Sequence, residues 1–335
     1  MSIALSRRFV LAATVAAATA ITGLQAVAQG NVVLRMSTPA TETDQRSIAL
    51  AEVFAPAVAA FADYQPHYNA SLVAQGSELE SIASGDLEMS ITSAQELATF
   101  FPEFSIFATG YVHQDAAHQV AVFNDPLMEP FKKTVEDELG VKLLSVMYLG
   151  RRHVNLRQTK DELTVMTPSD LAGVNLRMPG TDAWQFLGRA LGANPTPLAF
   201  TEVYTALQTG SVDGQDNPLP TVVDSKFYEV TNQIALTSHL VDLNYIAFSK
   251  AVWDGLSADQ QAAVQAAADA AAESARQAQL KKEEDLVAFL REQGLEIYEP
   301  DLAAFRNHVQ QQYVGSEFAA SWPDGVLEQI NALGN

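Results

Sequence analysis

Leu176-Arg177-Met178-Pro179-Gly180, then Leu191-Gly192-Ala193-Asn194-Pro195-Thr196-Pro197, then Glu202-Val203-Tyr204-Thr205-Ala206-Leu207-Gln208-Thr209-Gly210, then Asp213-Gly214-Gln215-Asp216-Asn217-Pro218 form the densest part of the stretch from Thr167 to Pro220. This stretch reads as half of a ligand cleft. Thr167 to Gly173 predicts a short helix, with Thr167 as cap, Pro168 at the first helical position and Gly173 past the end. The strand Val174 to Arg177 is stopped by Pro179-Gly180, which leaves Arg177 at its carboxyl end, the edge where open α/β sheets bind ligands. Trp184, Leu187 and Leu191 mark one helix; Phe200, Val203, Tyr204 and Leu207 mark another. Asn217-Pro218 opens a further helix, where Asn can cap and Pro fits the first turn.

Toward the N-terminus, Asn31 to Met36 predicts a strand, and Leu50, Phe54, Val58 and Phe61 mark a helix capped by Asp44 and kinked at Pro56. Strand, helix and strand continue through 68–73, 78–83 and 87–91. The aromatics between Glu96 and His118 have no clean period and suit core packing. A helix is expected from Pro126 to Leu139, one strand over Val141 to Tyr148, and a second over Arg152 to Arg157, entered through Gly150. Toward the C-terminus, Ile234 to Thr237 and Leu243 to Phe248 read as two more strands. Ser257 to about Gln293 has no Pro or Gly and predicts a helix roughly 50 Å long, striped by Leu280, Val287 and Leu290. A strand at 295–298 and helices at 302–313 and 325–333 complete the pattern, which argues for α/β layers with largely parallel pairing.

The chain has 335 residues, 48% of them hydrophobic, enough for two domains or one large domain with an insertion. Met1 to Ala28 reads as a secretory signal peptide: Arg7-Arg8, an uncharged Ala-rich run, then Ala26-Val27-Ala28. An uncleaved anchor is the competing reading, and Ser6-Arg7-Arg8-Phe9 leaves Sec and twin-arginine export both open. The absence of cysteine rules out disulfides and a lipidated N-terminal Cys. A formal charge of −20 repels nucleic acid and anionic lipid over most of the surface, so an anionic ligand needs a local exception such as cleft arginines.

Catalytic patterns are lacking: there is no Cys nucleophile, G-x-S-x-G elbow, H-E-x-x-H, P-loop or G-x-G-x-x-G, and no cofactor motif. The six histidines have no close metal-ligand spacing, and His113 and His118 suit capping or surface roles. Asp213 to Asn217 lacks the alternating acids and terminal Glu of a calcium loop. Arg177 offers a planar two-pronged donor for a carboxylate, against a surface ion pair as the plain alternative. Arg152 suits a second anion contact and a hinge-region salt bridge equally. Asn217 contacts a ligand or caps its helix, and Phe200 and Trp184 line a pocket or fill a core.

These central motifs, extended by Lys226 to Val230 and Thr237-Ser238-His239, closely resemble the signature of the extracytoplasmic solute receptors of TRAP (tripartite ATP-independent periplasmic) transporters, the DctP-like family. The resemblance covers essentially the whole chain after the leader. It implies a two-lobed, type II-like periplasmic binding protein of α/β class, with hinge strands and a long helix, 257–293, shared by both lobes. One domain would comprise 29–150 and 242–282, the other 151–241 and 283–335. It implies a non-enzymatic receptor for a small organic acid, delivered to a membrane permease, as monomer or homodimer, with no cofactor and no membrane insertion once the leader is cleaved. By the same resemblance Arg177 pairs with the ligand carboxylate, Asn217 contacts the ligand, Arg152 matches a second family arginine and Phe200 lines the pocket. Gln75-Gly76-Ser77-Glu78 departs from the family's usual run, so no first-domain pocket residue is assigned. An envelope enzyme on the same fold and a sensing subunit remain the rival readings.

Overall fold

Two strands of unusual length decide where a cleft can open. The computed structural model describes residues 31–334, so the leader expected over Met1 to Ala28 lies outside the described residues. The strands are β1 (Val32–Ser37), β2 (Ala62–His67), β3 (Met89–Thr92), β4 (Val141–Leu156), β5 (Asn175–Met178), β6 (Asn194–Pro197), β7 (Gly214–Asn217), β8 (Gln233–Ser249) and β9 (Glu296–Tyr298). All nine join one sheet, in the order β2-β1-β3-β8-β4-β7-β5-β6, with β9 pairing β8. The result is the two-lobed α/β architecture that the sequence implies.

With 16 and 17 residues, β4 and β8 each run about 55 Å at strand rise. Lying antiparallel, they place one end in each lobe: β8 pairs with β3 through Tyr245 to Phe248 and with β9 through Gln233 to Ala235, while β4 pairs with β7 through His153 to Leu156. The sequence divides each of them into two strands, and the structure does not. At Gly150, φ 127° and a shift in register let β4 bend as a bulge while pairing resumes at Gly150 with Asp242. A signal that looks like a break is therefore a bend inside one hinge strand. Pairing is parallel at β1–β2, β1–β3, β5–β6, β5–β7 and β8–β9, but the longest ladder, β4 with β8, is antiparallel.

Other expectations shift locally. The strand expected at 68–73 is instead β2, a polar edge strand that tolerates Pro66 because its outer side needs no donor. Asn217 does not cap a helix: it ends β7 opposite His153, and Pro218 takes the N-cap position of the helix Leu219–Asp224. Near Pro56 the helical segment passes through a π turn, Leu50–Phe54, rather than stopping, with Asp44 capping its start as expected.

The pleat distributes the core. Tyr245 and Ala247 enter one cluster, with Phe104, Phe107, Phe123 and Phe131, while Ile246 and Phe248 enter another on the opposite face, with Leu34, Phe54 and Met147. In the second lobe Val154, Leu156 and Ala235 pack with Trp184 and Phe305, and Ile234 packs with Val203, Leu207 and Phe227. The long helix runs Ala258–Glu292, started by a Ser257/Gln260 capping box. Its buried stripe is Val264, Ala267, Ala268, Ala271, Ala272 and Ala275, small side chains that let it lie close on the sheet; Leu290 is buried in the second lobe, whereas Leu280, counted into the stripe from sequence, is exposed. Ile330, on the C-terminal helix Val326–Leu333, packs into the cluster that holds Phe104.

Candidate ligand-binding site

Between the lobes lies a cavity whose second-lobe wall comes from the central stretch: Arg152, Pro179, Trp184, Phe200, Asn217, Thr221, Asp224 and Ser225. Arg177, on β5 and 1% exposed, packs against the Phe200 side of this wall, its Cζ 5.9 Å from the ring centroid. Its Nε donates to the Leu198 carbonyl at 2.9 Å, but Nη2 is buried without a hydrogen-bond partner among the described residues. Burial lowers the guanidinium to about 9, Asp216 pulling it up and Arg152 pushing it down. A desolvated cation with an unused donor is stabilised by an anionic acceptor.

Arg152 makes the salt bridges that one of its two readings expects, and it does so at the cavity. It lines the cavity and is buried, with Nε 2.6 Å from Asp242 and Nη1 3.3 Å from Asp216, and its guanidinium carbon lies 4.4 Å from the centre of the Trp184 ring. Two carboxylates and an aromatic face hold it rigid. Trp184 likewise serves core and wall together. The D-G-Q-D-N run is explained by alternation along β7. Gln215 and Asn217 share one face, where Asn217 Nδ2 donates to Gln215, Gln215 Nε2 to Asn155 at 2.9 Å, and Asn155 Nδ2 to the Gln233 carbonyl at 2.9 Å. Asp216 faces the other way, toward Arg152 and His239 Nε2 at 3.1 Å.

The first-lobe wall contains the residues that sequence reasoning left unassigned: Thr38 to Thr41, Asp44, Arg46, Gln75, Ile91, Ser93, Glu96, Asp242 and Asn244. Arg46 donates Nε and Nη2 to Asp44 at 2.9 and 2.8 Å and Nη1 to Asn244. Against the cost of burial, Arg46 holds the Asp44 carboxyl below its usual range. Gln75 Oε1 accepts the Phe200 N–H at 2.7 Å, a hydrogen bond that joins the two lobes. Glu96 closes a capping box with Ser93, and next to it burial and then Glu96 itself push Glu78 up to about 8. The signals for this wall were Asp44, read only as a cap, and Gln75, in the run that departs from the family's usual one. His113 and His118, read as capping or surface residues, are buried with their rings 5.4 Å apart, away from this cavity.

The family model described as bacterial extracellular solute-binding protein, family 7, matches residues 49–319. The chain belongs to this family. A TRAP periplasmic solute-binding protein from Roseobacter denitrificans, solved with bound 3-deoxy-D-manno-oct-2-ulosonic acid, is 84% identical, with a TM-score of 0.90 over 91% of this chain and 100% of that one. A second from the same species, with bound L-galactonate, is 25% identical, with a TM-score of 0.81 over 91% and 99%. The sialic acid-binding periplasmic protein of Vibrio cholerae is 28% identical over 76% of this chain and 77% of its own length. This chain is thus a solute-binding receptor of the TRAP type, from a periplasmic family. Among the described residues no helix is long and apolar enough to cross a membrane.

Proposed function

We propose that this receptor binds a sugar acid of the 3-deoxy-D-manno-oct-2-ulosonic acid kind and hands it, chemically unchanged, to a TRAP membrane permease, after export directed by the leader Met1 to Ala28. The observation that carries the substrate reading is Arg177, a buried guanidinium beside a cavity wall whose Nη2 lacks a partner among the described residues. A carboxylate supplies both the charge and the acceptor that Nη2 needs. The acid bound by the 84% identical relative supports the choice of ligand. Asn217 and Phe200 complete the grip, and Arg152 acts mainly by fixing Trp184, Asp216 and Asp242 around it. Binding bridges the lobes, so its free energy sets the closed population that the permease meets.

Calorimetric titration of the mature protein with this acid tests the reading. Wild type is expected to bind in the micromolar range or tighter, and Arg177→Ala to lose at least about 100-fold, with Arg177→Lys no substitute for the two-pronged donor. Unchanged affinity in Arg177→Ala, or turnover of the acid seen by mass spectrometry, rejects it.

A further inference from the structure

Four carboxylates line the cavity, and three are cancelled by a cation: Asp44 by Arg46 at 2.8 Å, Asp224 by Lys282 at 3.1 Å and Asp242 by Arg152 at 2.6 Å. Glu96 has no ion-pair partner among the described residues. Its Oε2 accepts the Ser93 N–H at 2.8 Å and the Thr92 hydroxyl at 3.1 Å, while Oε1 accepts no hydrogen bond from any described residue. Burial raises the Glu96 carboxyl, and these Ser93 and Thr92 donors work against that rise in favour of the charged form, while burial and then Glu96 push its neighbour Glu78 up to about 8. On the other lobe Arg177 is the mirror case, a cation with no carboxylate partner among the described residues. Among the described residues each lobe thus has one ionisable side chain without an ion-pair partner at or beside the cleft, the Arg177 guanidinium in the second and the Glu96 carboxyl in the first.

We propose that Glu96 sets specificity in the cleft: it accepts hydrogen bonds from the hydroxyls of a ligand whose carboxylate goes to Arg177, and it rejects ligands that carry a second carboxylate. This rests on the sugar-acid reading above. A carboxylate accepts hydroxyl donors strongly and offers none in return, so a polyol satisfies Oε1, whereas a second anion meets a carboxyl that no cation among the described residues offsets. Selection against dicarboxylates therefore needs no steric device, only this acid left unpaired.

The test compares 3-deoxy-D-manno-oct-2-ulosonic acid with the same molecule oxidised to a carboxylate at its terminal carbinol, by calorimetry on wild type and Glu96→Gln. Gln retains the N3 position of the capping box, and a melting curve verifies that the variant is folded. Wild type is expected to prefer the monocarboxylate by about 100-fold; in Glu96→Gln its affinity falls about tenfold and the preference shrinks below about tenfold. A preference unchanged by Glu96→Gln overturns the role of Glu96 while leaving the sugar-acid reading standing. Tighter binding by wild type of a carboxylate–ammonium zwitterion of similar size also overturns it, since Glu96 would then be pairing with a ligand cation. Failure of wild type to bind the monocarboxylate overturns the substrate reading, and the role of Glu96 falls with it.

Discussion

The second-lobe wall of the cleft comes mostly from one continuous stretch, residues 179–225, joined by Arg152 and backed by Arg177 behind Phe200, whereas the first-lobe wall gathers residues 38–46, Gln75, Ile91 to Glu96, and Asp242 with Asn244 from separate places in the chain. On the continuous side, local rules position each group: β5 delivers Arg177, a turn follows, and β7 alternates Gln215 and Asn217 against Asp216. On the gathered side, β1, β3 and the far end of β8 must pair before the wall exists. The walls also differ in electrostatic state. The second leaves a cation unsatisfied, and the first leaves an acid.

The largest effect expected from breaking this arrangement is at Arg152, where Arg152→Ala strands Asp216 and Asp242 in a buried site. Urea denaturation should show a loss of about 3–5 kcal/mol, far beyond what any exposed ion pair such as Lys133 with Asp137 gives. Arg177→Met should do the opposite to the unliganded protein. Exchanging a desolvated, unpaired cation for an apolar chain of similar length raises apo stability by about 1–3 kcal/mol, while the rise in Tm caused by ligand disappears. If Arg177→Met destabilises the apo protein as Arg152→Ala does, the contrast between a structural and a ligand-directed arginine is wrong.

Gly150→Ala probes the hinge that carries both walls. At φ 127° the added Cβ would lie 2.6 Å from Pro218 Cβ and 2.7 Å from Glu283 Oε1, which itself accepts the Arg151 N–H. A loss of about 2 kcal/mol is expected, with a shift in lobe closure visible by small-angle scattering. The smallest effect belongs to Glu78, behind the first wall beside Glu96. Glu78 titrates near 8 when folded and near the ordinary glutamate value when unfolded, so between these pH values the folded state holds more protons and stability falls as pH rises. Glu78→Gln should flatten that fall and gain about 1–2 kcal/mol at pH 8, with little change at pH 4, in melting curves taken across this range.

Legibility followed the same division. Arg177 at a strand end before Pro-Gly, and Trp184 and Phe200 at the starts of helical runs, were readable because sequence neighbours fix their geometry. The long helix was readable from uninterrupted Ala, Glu, Gln and Lys, but its buried stripe was not: proximity to the sheet selects alanines over Leu280. Gly150 was read as a break because a bulge and a strand end share the same residue signal, and only the partner strand distinguishes them.

By itself the sequence determined the α/β class, the family resemblance and the stretch that forms much of one cavity wall, since each depends on patterns within a few turns or strands. Only the tertiary structure decided that β4 and β8 are single hinge strands, that Arg46 pairs with Asp44 and Asn244, and that Glu96 at the cavity has no ion-pair partner among the described residues. These are questions of which charges meet after distant segments pack, and no local propensity encodes them.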